Sequence, residues 1–263
     1  MKGKKIVITS GKGGVGKTTI TANLGTCLAD LGMRVILIDV DFGLNNLDVA
    51  LGLENKVVYD MQDVLCGRCR IKQAILQDEI RKNLYILPSG RLANTSDFNG
   101  QNLKLLLEGL TPLFDYVLID CPAGIDLGFH RAVACAEEAI VVSTPNLSSI
   151  KDADKVLTIL KSYKLDKINL VLNRVRGDLI INKKMLKPSD VKEILNCELL
   201  GILPEEDKVF LSLGKSLPKN SDSYKCYKLL AQNLIKNKSV LFDVTSKYSG
   251  FLGSIRRGLK GVL

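Results

Sequence analysis

Gly11-Lys12-Gly13-Gly14-Val15-Gly16-Lys17-Thr18 is the stretch that decides the fold. It satisfies the spacing G-x-x-x-x-G-K-[ST], in which glycines let backbone N–H groups wrap a phosphate chain and a helix N-terminus adds a favourable dipole. A short apolar run at 5–9 precedes it. After it, Ile20, Leu24, Leu28 and Leu31 keep the spacing of one helix face, closed by Gly32. Strand, glycine loop and helix in that order predict a nucleotide site. Gly11, Gly13, Gly14, Val15 and Gly16 would supply backbone, Lys17 would neutralise the β and γ phosphates, and the Thr18 hydroxyl, followed by Thr19, would ligate Mg²⁺.

Further apolar runs at 34–39, 84–87, 116–120, 138–143, 167–173 and 199–203 are rich in Val and Ile and nearly continuous, as in strands covered on both faces. Helix-length segments at 102–110, 149–163, 188–195 and 222–237 alternate with them. The pattern predicts an α/β class: a doubly wound, mostly parallel sheet of the P-loop NTPase type, with right-handed crossovers. Ligands of such sheets bind at the carboxyl ends of the strands.

The remaining polar candidates fall at those ends. Asp39 and Asp41 close the second strand and Asp120 closes Val117-Leu118-Ile119. Apolar residues followed by Asp is the Walker B arrangement, whose carboxylate holds the metal's water shell. Any one of the three could instead serve as a cap. Asn173-Arg174 follows another apolar run, and Asn offers a donor and an acceptor in one plane, suited to an adenine edge. Lys12 adds a second cation inside the loop, more neutralisation than one phosphate cradle needs.

Composition bounds the alternatives. The chain has 263 residues, with 46% hydrophobic and 25% charged, which argues against wholesale disorder. No apolar run reaches the roughly 18–20 residues of a spanning helix. Met1-Lys2-Gly3-Lys4-Lys5 runs straight into Ile6-Val7-Ile8 with no leader-like h-region, so a cytoplasmic protein with free thiols is expected. Cys66-Gly67-Arg68-Cys69 has metal or redox spacing but no second ligand pair nearby, and it follows a helical stretch rather than a strand. The lone His130 has no evident nucleophile to serve.

The net charge of +9 is unevenly spread: Lys247, Arg256, Arg257 and Lys260 stand in the last 17 residues without an acid. On a helix, Phe251, Leu252, Ile255, Leu259, Val262 and Leu263 fall within about 120° of arc, with Arg256, Arg257 and Lys260 on the flank. That is the pattern of an in-plane membrane helix. Docking on the body, or a grip on DNA phosphates, are the other readings of these residues. Four cations contribute about 4 kcal/mol at an anionic leaflet, so one tail binds weakly, while two held together gain roughly 10²–10⁴ in avidity. The organisation expected is an ATPase body at 1–237, a linker at 238–249 and an amphipathic tail at 250–263.

The loop, Asp39-Val40-Asp41-Phe42-Gly43-Leu44-Asn45-Asn46-Leu47-Asp48, Asn83-Leu84-Tyr85-Ile86-Leu87-Pro88, Asp120-Cys121-Pro122-Ala123-Gly124-Ile125, Gly201-Ile202-Leu203-Pro204-Glu205 and the tail together resemble the MinD family of bacterial septum site-determining ATPases, which carry a deviant Walker A loop. The resemblance covers essentially the whole chain. It implies ATP and Mg²⁺ at Gly11 to Thr19, with slow basal hydrolysis. It also implies an ATP-dependent homodimer in which Lys12 reaches the partner's phosphates. Lys12, Lys17, Asp41 and Asp120 would then be catalytic, with Asp41 positioning the water. Thr18, Asp39 and Asp120 would serve the metal, and Asn46 would sense the γ-phosphate. The paired tails would engage anionic lipids on the cytoplasmic face of the cell membrane. MinC would be recruited to block FtsZ assembly, and MinE or another topological regulator would stimulate turnover. DNA binding is not expected as the main role. The relatives that compete with this reading are a flagellar-number regulator like FlhG and a DNA-partitioning ATPase like ParA.

Overall fold

The computed structural model describes residues 3–42, 46–90, 100–250 and 253–254. Its strands are β1 Lys4–Thr9, β2 Val35–Asp39, β3 Leu76–Gln77, β4 Leu84–Leu87, β5 Tyr116–Asp120, β6 Glu138–Ser143, β7 Lys167–Val175 and β8 Glu198–Pro204. They form one sheet in the order β3-β4-β2-β5-β1-β6-β7-β8. All neighbours run parallel except β3, which pairs antiparallel with β4 at the edge. The chain winds from β1 toward β2 and later crosses to β6, so the ends of β1 and β5 sit at the switch point where such sheets open a crevice.

The helices are α1 Lys17–Asp30, α2 Leu47–Leu51, α3 Met61–Leu65, α4 Ile71–Ala74, α5 Gly100–Leu110, α6 Leu127–Ala134, α7 Leu147–Leu160, α8 Gly177–Ile181, α9 Pro188–Leu195, α10 Asp207–Leu211 and α11 Asp222–Lys236. α1 and α11 cover one face of the sheet. α5, α6, α7 and α9 cover the other, and strand side chains alternate between the two cores. Ile20, Leu24 and Leu28 of α1 are all buried, as their spacing predicts. Gly25 lets α1 lie close on the sheet, since a Cβ there would meet Leu37. α7 and α11 start on side-chain caps: Asn146 Oδ1 accepts from Ser149 N at 2.8 Å, and Ser221 Oγ from Tyr224 N at 3.1 Å.

Residues 238–249, expected as a polar linker, are instead seated on the body. Val244 and Tyr248 are buried, and the absent side chain of Gly177 makes room for the Val244 carbonyl. Asn233 Nδ2 donates to Val240 O at 2.8 Å, and Lys247 Nζ to Asp222 Oδ2 at 2.9 Å. Among the described residues no helix is long and apolar enough to cross a membrane. Phe251, Leu252, Ile255, Arg256, Arg257, Leu259, Lys260, Val262 and Leu263 lie outside the described residues.

Candidate active site

The glycine loop spans the gap between β1 and α1. Gly14 and Gly16 hold φ of 74° and 99°, the left-handed region that other residues avoid. Gly16 is the N-cap of α1, and no side chain caps the helix. The first N–H groups of α1 are therefore left for a ligand, and the first turn carries no acid to oppose an anion. The loop is braced from three sides. Gly124 N donates to Ser10 O at 3.2 Å, Ser10 Oγ donates to Lys12 O at 2.7 Å, and Gly11 lies against the backbone of Asp152 in α7. Lys17 is buried beneath the loop, whereas Lys12 is exposed on its rim.

The acids meet under the loop. Asp39 and Asp120 are register partners on β2 and β5, both buried. Asp39 accepts from Asp41 N at 2.9 Å through Oδ1 and from Leu47 N at 3.3 Å through Oδ2. Asp120 Oδ1 accepts from Thr21 Oγ1 at 3.1 Å, and the Thr18 hydroxyl also bonds this carboxylate. Burial raises both carboxyl pKa values, and for Asp39 the charge of Asp120 adds to the rise. Thr18, Lys17 and Thr21 hold Asp120 back. Two buried, mutually repelling carboxylates beside a threonine hydroxyl form a hard oxygen donor set, which fits Mg²⁺ bound through phosphates and water.

A pH dependence follows. The folded values lie above the ordinary carboxylate value of about 3.9, so the folded chain holds protons that the unfolded chain releases. The pair therefore stabilises the ligand-free protein at low pH, and this contribution is lost as pH rises. Thermal melts without nucleotide or Mg²⁺ should show stability falling from about pH 4, where the unfolded carboxyls release their protons, to about pH 8, where folded Asp39 does, and Asp39→Asn should flatten the fall. Each kcal/mol would appear as roughly 2–4 °C in a chain of this size. Parallel profiles for the two proteins would refute the assignment.

Asp41 is half-buried, its pKa raised by desolvation, with Lys17 opposing. Ser89 Oγ holds its carbonyl at 3.2 Å. The charge of Asp126 also raises it. Asp126 is a residue the sequence reading missed. It N-caps α6, accepting from Gly128 N at 3.0 Å and Phe129 N at 3.2 Å, and no helical period in the sequence after it marks it as a cap. Asn46 is exposed at the N-cap position of α2, with no side-chain bond to that helix.

A cleft of about 240 Å³ opens beside the loop, walled by Gly16, Thr19, Asn173, Pro204, Glu206 and Phe210, with Arg174 at its edge. Asn173 is more occupied than a free adenine reader would be. Its Nδ2 donates to Val15 O at 2.8 Å, and its Oδ1 accepts from Arg174 N at 2.9 Å. The amide thus braces the loop, and a base in the cleft would compete for it. Arg174 carries φ of 55° inside β7, where the pairing with β8 shifts register between Leu172 and Val175. The α10 wall was also missed; its signal is the exposed Phe210-Leu211 pair following Pro204 and Glu205.

The other candidates lie apart from this site. Arg68, inside the Cys66–Cys69 spacing, pairs with Asp63 at 2.6 Å. Among the described residues no three His, Cys, Asp or Glu side chains gather to hold a metal. His130 Nδ1 lies 2.5 Å from the Tyr163 hydroxyl.

A family model described as an AAA domain matches residues 3–173. The septum site-determining protein MinD of Synechocystis is 42% identical over 261 residues, which is 97% of this chain and 98% of that protein. The MinC:MinD cell division protein complex of Aquifex aeolicus contains a chain with a TM-score of 0.81 at 38% identity, over 91% of this chain and 98% of that one. MinD of Pyrococcus horikoshii complexed with Mg-ADP gives a TM-score of 0.80 at 31% identity, over 89% and 96%.

Proposed function

The chain belongs to the MinD family of cell-division ATPases, and from that premise we propose that it is a nucleotide-gated membrane switch. ATP closes two copies face to face, their paired tails grip anionic lipids on the cytoplasmic face of the membrane, and the dimer recruits MinC to keep FtsZ from assembling away from midcell. Hydrolysis, stimulated by MinE or another topological regulator, parts the dimer and frees the membrane. The recruitment step is supported by the likeness to the chain in the Aquifex MinC:MinD complex.

The observation that carries the reading is the face around Lys12. Ile125, Leu127 and Leu147 are 46%, 62% and 75% exposed, and they stand on the segments that abut the glycine loop. Apolar side chains gathered around an exposed cation suit a surface that a second copy covers. In this reading Lys12 crosses to the partner's phosphates while Lys17 serves its own. Thr18, Asp39 and Asp120 would hold Mg²⁺, which would supply charge neutralisation for the phosphates. Asp41 orients the attacking water, Asn46 senses the γ-phosphate, and Asn173 and Arg174 border the base. The body, through Ser249, carries this chemistry and the tail at 250–263 carries the membrane contact.

Co-sedimentation with anionic vesicles tests it, comparing ATP with ADP and the full chain with one ending at Ser249. The cut is placed there because ending at Asn237 would strip the buried Val244 and Tyr248 from the body. The full chain in ATP should bind at least about tenfold better than in ADP, and truncation should remove that binding. Equal pelleting in both nucleotides, or none in either, would overturn the switch and make DNA binding by the body the next test.

A further inference from the structure

The tail does not leave the body at an arbitrary place. Tyr248 packs against Gly177, the first residue of α8, and Gly253 returns to the backbone of Tyr248. A short loop at the other end of the same helix carries Asn182-Lys183-Lys184-Met185-Leu186-Lys187 into α9. A five-residue helix is about 7.5 Å long, so the loop and the root of the tail share one edge of the molecule. A groove of about 560 Å³ opens there, between Leu147 at the start of α7 and Ile180, Lys183, Lys184, Met185 and Lys187.

The loop is fixed and its charges are available. Lys183 N donates to Ile180 O at 3.0 Å and Lys184 N to Leu179 O at 2.8 Å, with Lys183 turned at φ of 56°. All three lysines are exposed. Among the described residues no carboxylate pairs with their ammonium groups. One acid, Asp190, lines the groove. Its oxygens are engaged in starting α9, accepting from Lys187 N at 3.3 Å and Ser189 Oγ at 3.0 Å. Three cations against one acid leave the groove positive. Half-buried Met185 and Leu186 set apolar surface beside the charges. Cations next to apolar residues, fixed near the point where the amphipathic stretch at 250–263 leaves the body, match an anionic lipid surface.

We propose that the loop at 183–187 is a second membrane contact, in which Lys183, Lys184 and Lys187 bind phospholipid headgroups and fix the orientation of the body above the bilayer. This rests on the tail-mediated membrane reading above. It adds a contact from the body, whose loop is already fixed before it binds.

The test uses the full chain in ATP with vesicles containing no anionic lipid or about 30%, at low and high salt. The wild type is compared with the triple variant Lys183→Gln, Lys184→Gln, Lys187→Gln and with the chain ending at Ser249. A lysine near an anionic leaflet is worth about fivefold, so the variant should need on the order of 10- to 100-fold more anionic lipid for half-binding, with a shallower salt dependence. Its basal ATPase rate and melting temperature should match the wild type. Unchanged lipid binding by the variant, while the truncated chain loses it, would overturn this inference and leave the tail reading intact, marking the groove as a docking site for a protein partner. An equal loss on uncharged vesicles would also overturn it, because charge would then not be what the loop reads. If the wild type binds no vesicles, or the truncated chain binds as well as the full one, the tail reading fails and this inference falls with it.

Discussion

Lys17→Met is expected to lower ATP turnover by at least about 100-fold, the usual cost of removing one preorganised charge from a phosphoryl-transfer site. Methionine keeps the buried alkyl packing and removes only the ammonium group. The loss has two sources. In the proposed site Lys17 is the cation set against the phosphates, and a charge-assisted contact in a water-poor site is the strong kind. Lys17 is also one of the groups that hold the Asp120 carboxyl down and the main one that opposes the rise at Asp41. Without it both carboxyls shift further toward the neutral form, which neither serves Mg²⁺ nor orients water. Nucleotide affinity should therefore fall together with turnover, whereas a purely catalytic role would spare it. Equilibrium binding of a fluorescent ATP analogue, read beside phosphate release, separates the two. A variant within threefold of the wild type in both would rule out this placement of the cation.

The parts legible in the sequence share one physical property, that local pattern and tertiary environment agree. The central strands are apolar on both faces because helices cover both faces, so 84–87, 116–120 and 138–143 coincide with β4, β5 and β6. The glycine loop is legible because its glycines adopt the positive φ of Gly14 and Gly16 at no steric cost. The parts that were not legible are those whose burial a distant partner decides. α6, Leu127–Ala134, is short, and its buried residues are Phe129, Ala132 and Val133, too few for a period to stand out. β3 is a two-residue edge strand set by its partner β4. The stretch at 238–249 is polar enough to look like a tether, yet Val244 and Tyr248 find a seat because Gly177, far away in sequence, lacks a side chain. The cleft beside the loop is likewise assembled from Gly16, Asn173 and Phe210, which only the winding of the sheet brings together.

Lys12→Ala should separate binding from chemistry. Lys12 is exposed on the rim, while the cradle consists of loop amides, Lys17 and Thr18, so ATP affinity should stay within about threefold. Turnover should fall by 10²-fold or more if Lys12 acts as a fixed cation on the transferring phosphoryl, since comparable arginine fingers contribute roughly 10³–10⁵. The crossing itself is testable by mixing two inactive proteins, Lys12→Ala and Asp41→Ala. If each site takes Asp41 from its own chain and Lys12 from the partner, a mixed dimer has one complete site. Random pairing would make half the dimers mixed, so activity should recover to about a quarter of the wild type. If Lys12 serves its own nucleotide, every site in the mixture lacks one group and activity stays at the level of the separate variants. Recovery that requires both proteins and scales with the product of their concentrations at low total protein would place the cation across the interface. No recovery at concentrations where the wild type turns over would return Lys12 to its own site.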